Sequence, residues 1–310
     1  MNIETDQYTI DIFLHAASIA RRPGRRGAWE IDVQGVPMRV LVAVPIFNEE
    51  KYVTRVLREI RKYTRAAALN EPTLQTRVLV VDDGSTDATP ALLRDLAEKG
   101  HIDLITHPEN RGYGQSLIDA FTFASEGGYD WIITMDCDEQ HEPCRIPLFI
   151  RECLKDDADI ISGSRYLKLE NGSESTPPPD RRNINRLITE LLNSTLHLRF
   201  ADSEVGMTDS FCGFKAHRVS ALEKLALTIP GYAFPMQFWV QADANQLRIK
   251  EIPVTLIYKD ATRHFGGMLD DPSARLQHYL EVLTNELKVV RSAPVFAGMS
   301  QSECAACCDQ

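Results

Sequence analysis

Asp136-Cys137-Asp138 sets two carboxylates at i and i+2, directly after the apolar run Trp131-Ile132-Ile133-Thr134-Met135. Across a turn, that spacing lets both side chains approach one divalent cation, and their hard oxygens suit Mg²⁺ or Mn²⁺. Such an ion bridges two phosphates and stabilises a departing diphosphate. A bare Asp-x-Asp is more often a solvated acidic turn, so the weight of this one comes from its place after a buried strand. A second acidic pair, Asp82-Asp83, follows Val78-Leu79-Val80-Val81 and precedes Gly84-Ser85-Thr86-Asp87. A carboxylate at a strand end accepts hydrogen bonds from a base or ribose hydroxyls, and glycine lets a ligand approach the backbone. The same stretch also reads as a turn with helix-capping residues (Ser85, Thr86, Asp87, Thr89), and the two readings are compatible.

Such pairs need strands that deliver them to one edge of a sheet. Val40-Leu41-Val42-Ala43-Val44 is a continuous apolar run, as in a buried parallel strand. After Pro45-Ile46-Phe47-Asn48, apolar Val53, Val56, Leu57 and Ile60 fall at helical spacing, with Asn48 as a cap. The unit then returns. Val78–Val81 is a second strand and Pro90 opens a helix through Leu92, Leu93 and Leu96. Residues 102–105, 131–135 and 160–161 supply further strands, with helices after each of the first two. Beyond a polar loop, 168–180, helices are expected at 183–198, 232–245 and 272–290, a strand or turn at 208–216 and a strand at 249–258. Alternating strands and helices imply right-handed crossovers and a mostly parallel sheet covered on both faces. Ligands sit beyond the carboxyl ends of such strands, where both acidic pairs fall.

Composition narrows the function. The 310 residues carry a formal net charge of −10, which disfavours binding to a phosphate backbone. No apolar run reaches the ~18 residues of a spanning helix. An odd number of mostly scattered cysteines, 7, is simplest in a cytosolic, thiol-reduced protein. The tail Cys304-Ala305-Ala306-Cys307-Cys308 lacks the second pair or histidine that a structural zinc site needs. Residues 1–38 read as an N-terminal extension. Its apolar patch, Ile10 to Ile19, precedes the cluster Arg21, Arg22, Arg25 and Arg26, the reverse of a secretory signal. The Arg-Arg-Pro-Gly-Arg-Arg-Gly stretch reads as a loop. At most, the extension makes peripheral contact with an anionic membrane face. The main domain opens at residue 39, and a helix with the short cysteine tail occupies 268–310.

Five motifs occur in order: Pro45-Ile46-Phe47-Asn48-Glu49-Glu50, Val81-Asp82-Asp83-Gly84-Ser85-Thr86-Asp87, Asn110-Arg111-Gly112, Met135-Asp136-Cys137-Asp138-Glu139-Gln140-His141 and Gly163-Ser164-Arg165-Tyr166. Together they resemble the family 2 glycosyltransferases, and within them the dolichol-phosphate mannosyltransferase and polyprenyl-phosphate glucosyltransferase group. The likeness runs from about Arg39 to Gly267. It implies a single α/β catalytic domain of GT-A fold, Rossmann-like, and an inverting hexosyltransferase dependent on Mg²⁺ or Mn²⁺. The implied donor is a nucleotide-diphosphate sugar, GDP-mannose or UDP-glucose; the implied acceptor is a polyprenyl phosphate.

The resemblance also assigns residues. Pro45, Phe47, Glu49 and Asp83 line the base pocket, with Asp82 supporting that turn. Asp136 and Asp138 bind metal, with Gln140 as an added ligand. Arg165, Arg182 and Arg186 face the diphosphate or the acceptor phosphate, with Lys215 as a further cation. Asp209 lines the acceptor side and is the candidate base for a hydroxyl acceptor. Arg263 falls in the late Arg-x-x-Gly motif near the phosphates. The pattern departs in places: Gly267-Met268 replaces the usual Ser-Lys, Met236-Gln237 stands where a glutamate is common, and no Gln-x-x-Arg-Trp appears. Two alternatives stay open, a soluble or glycan acceptor and a non-catalytic nucleotide-sugar sensor.

Overall fold

The computed structural model describes residues 21–23, 29–31, 37–71, 73–167, 177–201, 206–255, 257 and 266–292. The chain forms two compact units, 1–38 and 39–310. In the first, β1 (Arg21–Pro23) pairs antiparallel with β2 (Trp29–Ile31). Arg21-Arg22-Pro23 is thus a strand, where its breakers predicted a loop. Pro23 ends that strand, where its missing N–H costs least.

The larger unit is built on β3 (Met38–Ile46), β4 (Leu74–Asp82), β5 (Asp103–Thr106), β6 (Trp131–Thr134), β7 (Ile160–Ser164), β8 (Arg199–Phe200), β9 (Lys215–Arg218) and β10 (Arg248–Pro253). These form a sheet in the order β5-β4-β3-β6-β9-β7-β10-β8. The pairs β4–β5, β3–β6, β7–β10 and β8–β10 are parallel, whereas β9 runs antiparallel between β6 and β7. The fold is therefore the mixed α/β sheet that the alternation implies. The stretch 208–216 resolves into a loop up to Phe214, followed by the reversed strand β9.

Helices α1 (Val53–Asn70), α2 (Thr89–Glu98), α3 (Tyr113–Glu126), α4 (Ile146–Leu154), α5 (Pro179–Thr195), α6 (Val219–Leu222), α7 (Phe234–Ala244) and α8 (Pro272–Ser292) complete the unit. Val40 to Val44 and Trp131 to Thr134 are buried throughout, as strands covered on both faces must be. Helix α1 buries Val53, Val56, Leu57 and Ile60, the predicted stripe. Each such side chain is worth roughly 1.5–3 kcal/mol of apolar burial. Helix α8 buries Arg275, Tyr279, Leu283 and Glu286 along one stripe and packs on α7. Two members of that stripe are charged, and both bear on the site below. Among the described residues, no helix is long and apolar enough to cross a membrane.

Candidate donor and acceptor cleft

Strands β3, β4 and β6 end side by side, and the loops after them build one wall of a cleft of about 480 Å³. The loops are laced together. Asn48 N–H donates to Ser85 Oγ at 2.9 Å, Glu49 N–H to Thr89 Oγ1 at 2.9 Å and Glu50 N–H to Asp87 Oδ2 at 3.1 Å. In return Thr86 N–H donates to Asn48 Oδ1 at 2.8 Å. Asn48, at φ 55°, does not cap α1; the residue preceding that helix is Tyr52, and no side chain caps it. The expected capping side chains instead join one strand-end loop to the next. Asp87 alone also serves its own helix, accepting from Thr89 N–H at 2.9 Å.

Pro45, Phe47, Glu49 and Asp83 all line the cleft. The Asp83 carboxylate, nearly sealed from solvent, accepts the N–H groups of Arg111 at 2.8 Å and Gly112 at 2.9 Å, and contacts His107 Nδ1 at 2.7 Å. It therefore fixes the Asn110–Gly112 turn as well as facing the cleft. Asp82 lies behind, off the cleft lining, and accepts Ser85 N–H at 3.1 Å. Gly112, at φ 101°, sits where a Cβ would come within 2.4 Å of Pro230 O, so only glycine fits this turn.

Asp136, Asp138 and Gln140 line the same cleft. Tyr113 O–H donates to Asp136 Oδ1 at 3.1 Å, and Asp136 N–H donates to His141 Nδ1 at 3.2 Å. Burial pushes the His141 pKa down, in keeping with an accepting ring nitrogen. Burial, reinforced by the Asp136 charge, pushes the Tyr113 phenol well above its ordinary value, so it remains a donor. Gly213 passes so close that a Cβ there would fall 2.6 Å from Asp136 Oδ2. Gln140 N–H donates to Asp138 Oδ1 at 3.0 Å, and Glu139 between them takes φ 60°. The described residues hold no cluster of three or more His, Cys, Asp or Glu that would bind a metal alone. Two hard carboxylates pinned on a cleft floor do fit a divalent ion that draws its other oxygens from a diphosphate and water.

The same cleft also has a basic and aromatic lining: Arg165, Arg181 and Arg275 with Tyr166, Phe211, Tyr232 and Tyr279. Arg165 grips Asp209 through Nε at 2.7 Å and Nη2 at 2.8 Å, and Asn185 Nδ2 adds 2.8 Å. Tyr232 stacks on Tyr113 with ring centres 5.8 Å apart.

Four expectations are corrected here. Asp209 is fully buried and does not line the cleft. Burial works to raise its pKa, but the charge and hydrogen bonds of Arg165, with Asn185, win and hold it at about 2. Off the lining, the carboxylate spends its oxygens on Arg165 and Asn185 rather than facing the cleft. Arg182 is exposed and off the lining, because the turn of α5 aims its neighbour Arg181 inward. Arg186 points away and pairs with Glu190 at 3.2 Å. Lys215 is buried, its pKa pushed down by burial, and its ammonium donates to Cys212 O beneath the floor. Arg263 and the 168–176 part of the predicted loop lie outside the described residues, as do most of the N-terminal extension and the cysteine tail.

Sequence reasoning missed Tyr113, Arg181, Tyr232, Arg275 and Tyr279. Tyr113 could have been found, since it directly follows the Gly112 turn. Arg275 and Tyr279 lie four apart on the α8 stripe, where an arginine at an apolar register was the signal. A larger hollow of about 790 Å³, lined by Arg39, Arg77, Asp103 and Tyr129, lies at the opposite ends of the strands. Its charges are matched among themselves, Arg77 with Asp103 and Arg39 over the Tyr129 ring at 4.6 Å. The chemistry belongs to the smaller cleft.

A Rossmann-like mixed sheet with two carboxylate turns at its strand ends, sharing one cleft with a basic lining, defines a class: transferases that handle a nucleotide-diphosphate donor. The family is then specific. The family model for glycosyl transferase family 2 matches residues 41–225, and the chain belongs to that family. It is a glycosyltransferase of GT-A fold. The polyprenol monophosphomannose synthase of Mycolicibacterium smegmatis is 28% identical over 77% of this chain and 86% of its own. The undecaprenyl-phosphate mannosyltransferase of Micrococcus luteus is 27% identical over 76% and 90%. In Methanococcus voltae, a UDP-N-acetylglucosamine–dolichyl-phosphate N-acetylglucosaminyltransferase is 26% identical over 71% and 86%. Among solved structures, the glucosyl-3-phosphoglycerate synthase of M. tuberculosis shares the fold at TM-score 0.55 and 17% identity, over 86% of this chain and 87% of its own.

Proposed function

We propose that this glycosyltransferase moves a hexose, with inversion, from a nucleotide-diphosphate sugar to a polyprenyl phosphate. The carrying observation is that one cleft is lined both by an acidic set (Glu49, Asp83, Asp136, Asp138) and by a basic set (Arg165, Arg181, Arg275). A donor diphosphate with its counter-cation suits the first, and an anionic acceptor the second. The relatives whose names specify polyprenyl or dolichyl phosphates support this choice of acceptor.

In this reading Pro45, Phe47, Glu49 and Asp83 take the nucleoside. Asp136 and Asp138, with Gln140 beside them, would hold Mg²⁺ or Mn²⁺, which would supply positive charge against the leaving diphosphate. Tyr113 and the Gly213 backbone keep Asp136 aimed. An acceptor phosphate is already ionised and needs no general base, which agrees with the burial of Asp209. What it needs is cation, because two anions must approach each other; Arg165 and Arg181 offset that repulsion. A lipid-linked acceptor puts the reaction at a membrane surface, on the cytoplasmic side where nucleotide sugars are made.

The test is incubation of purified protein with labelled GDP-mannose or UDP-glucose, Mg²⁺ or Mn²⁺ and polyprenyl phosphate. Label is expected in the organic phase, in a product lacking the nucleotide. Label confined to a water-soluble glycan would assign the acceptor to the second class, and donor binding without turnover would mean a sensor.

A further inference from the structure

Helix α8 lies wholly beyond the residues that the family model matches, yet its first turns reach into the cleft. Arg275 is 3% exposed and belongs to the basic lining. Its Nη2 donates to Asp180 Oδ2 at 2.6 Å and its Nη1 to Leu269 O at 2.8 Å. Asp180 is the second residue of α5, and the next residue is Arg181, the α5 arginine that faces the cleft. One turn further along α8, Tyr279 packs on Phe211, ring centres 4.9 Å apart. Phe211 N–H in turn donates to Asp209 Oδ1 at 3.3 Å, the carboxylate that holds Arg165. Two consecutive turns of α8 thus abut the supports of both other arginines of that lining.

We propose that Arg275 is the positioning residue for the acceptor-anion subsite. Through Asp180 it sets the first turn of α5 so that Arg181 meets the acceptor phosphate, its own charge being matched by that carboxylate. The inference rests on the polyprenyl-phosphate reading above.

The experiment measures binding of farnesyl phosphate, farnesol and the nucleoside diphosphate to the wild-type chain, Arg275→Ala, Arg275→Lys and Asp180→Asn, with thermal melts alongside. For farnesyl phosphate, Arg275→Ala is expected to weaken binding roughly tenfold to hundredfold, the worth of a charge-assisted contact. In turnover, acceptor KM should rise by the same factor while donor KM holds. Arg275→Lys should recover part of the loss, and Asp180→Asn should reproduce part of it, which a purely structural role would not do. Should Arg275→Ala fail to fold, the other two variants decide. Unchanged farnesyl phosphate binding in a folded Arg275 variant overturns the inference alone. A wild-type chain that binds farnesol as well as farnesyl phosphate, or neither, overturns the acceptor reading and this inference with it.

Discussion

At the scale of single residues, the cleft brings carboxylates and arginines to one lining and pins several of them by hydrogen bonds. Asp138 accepts from Gln140 N–H and lines the cleft floor, so its removal changes little packing. Asp138→Ala should therefore cut turnover roughly a thousandfold, the several kcal/mol of charge stabilisation that goes with the ion, and leave the melting temperature nearly unchanged. Loss of metal-dependent nucleotide binding in calorimetry checks the same point without turnover. Asp209 makes the opposite case. With Arg165→Ala, a fully buried carboxylate loses its cation, which costs about 3–5 kcal/mol in urea unfolding. The depressed Asp209 pKa also has a pH signature. A carboxylate held at about 2 contributes stability above its unfolded value near 3.8, and that stability is lost as pH falls through 2. An acid-unfolding curve should show an increment of about 2 kcal/mol that Asp209→Asn lacks. The sequence made the acidic pairs legible, because they follow buried strands. It could not show that Asp209 faces Arg165, since the partners are 44 residues apart and meet only once β7 and the 208–214 loop are in place.

At the scale of elements, the informative contacts run between loops rather than along helices. Val40–Val44, Val78–Val81 and Trp131–Thr134 were readable as strands because doubly covered strands are continuously apolar. The reversed strand β9 was not, because Lys215 and His217 break its apolar run although both are buried. Nor could the exact inward arginine be read. Arg181 and Arg182 are adjacent, and a helix turns about 100° between neighbours, so the choice depends on where α5 begins. The loop contacts predict a backbone effect. In Gly112→Ala the new Cβ meets Pro230 O at 2.4 Å at a φ that side chains rarely adopt. That substitution should cost about 1–3 kcal/mol. It should also weaken nucleotide binding, because the Gly112 N–H is one of the donors that hold Asp83. Denaturation midpoints and nucleotide titration measure the two effects separately. At the far end of α8, Glu286 accepts from Gln237 Nε2 at 3.0 Å and Gln241 Nε2 at 2.6 Å. Those two bonds tie α7 to α8 through buried side chains.

At the scale of the whole molecule, the acidic chain must hold carboxylates away from water around the β7–β10 side of its sheet, and pH is the lever that tests how. Glu251 on β10 accepts from Thr208 N–H at 2.9 Å, Thr208 O–H at 2.8 Å and Asp209 N–H at 3.1 Å, so it anchors the loop that carries Asp209. Burial pushes its pKa up to about 7 against those hydrogen bonds, and the nearby Asp209 charge pushes the same way. The sign is the reverse of Asp209. A carboxyl whose folded pKa lies above its unfolded value stabilises the fold fully below about 4.5, and the contribution is lost as pH rises through about 7. Asp159, held at about 2 by Arg248 despite its burial, behaves like Asp209 and loses its contribution only in strong acid. His217, held at about 3 by burial, and His141, pushed down by burial, work against Glu251: the contribution of a neutral buried imidazole is lost as pH falls below about 6.5. The Glu251 contribution is therefore read as a difference between two chains, the wild type and Glu251→Gln, in urea midpoints measured from pH 4 to 8. The stability of the wild type relative to Glu251→Gln should fall between pH 5 and 8. A difference that stays constant over that range would assign no titration there to Glu251.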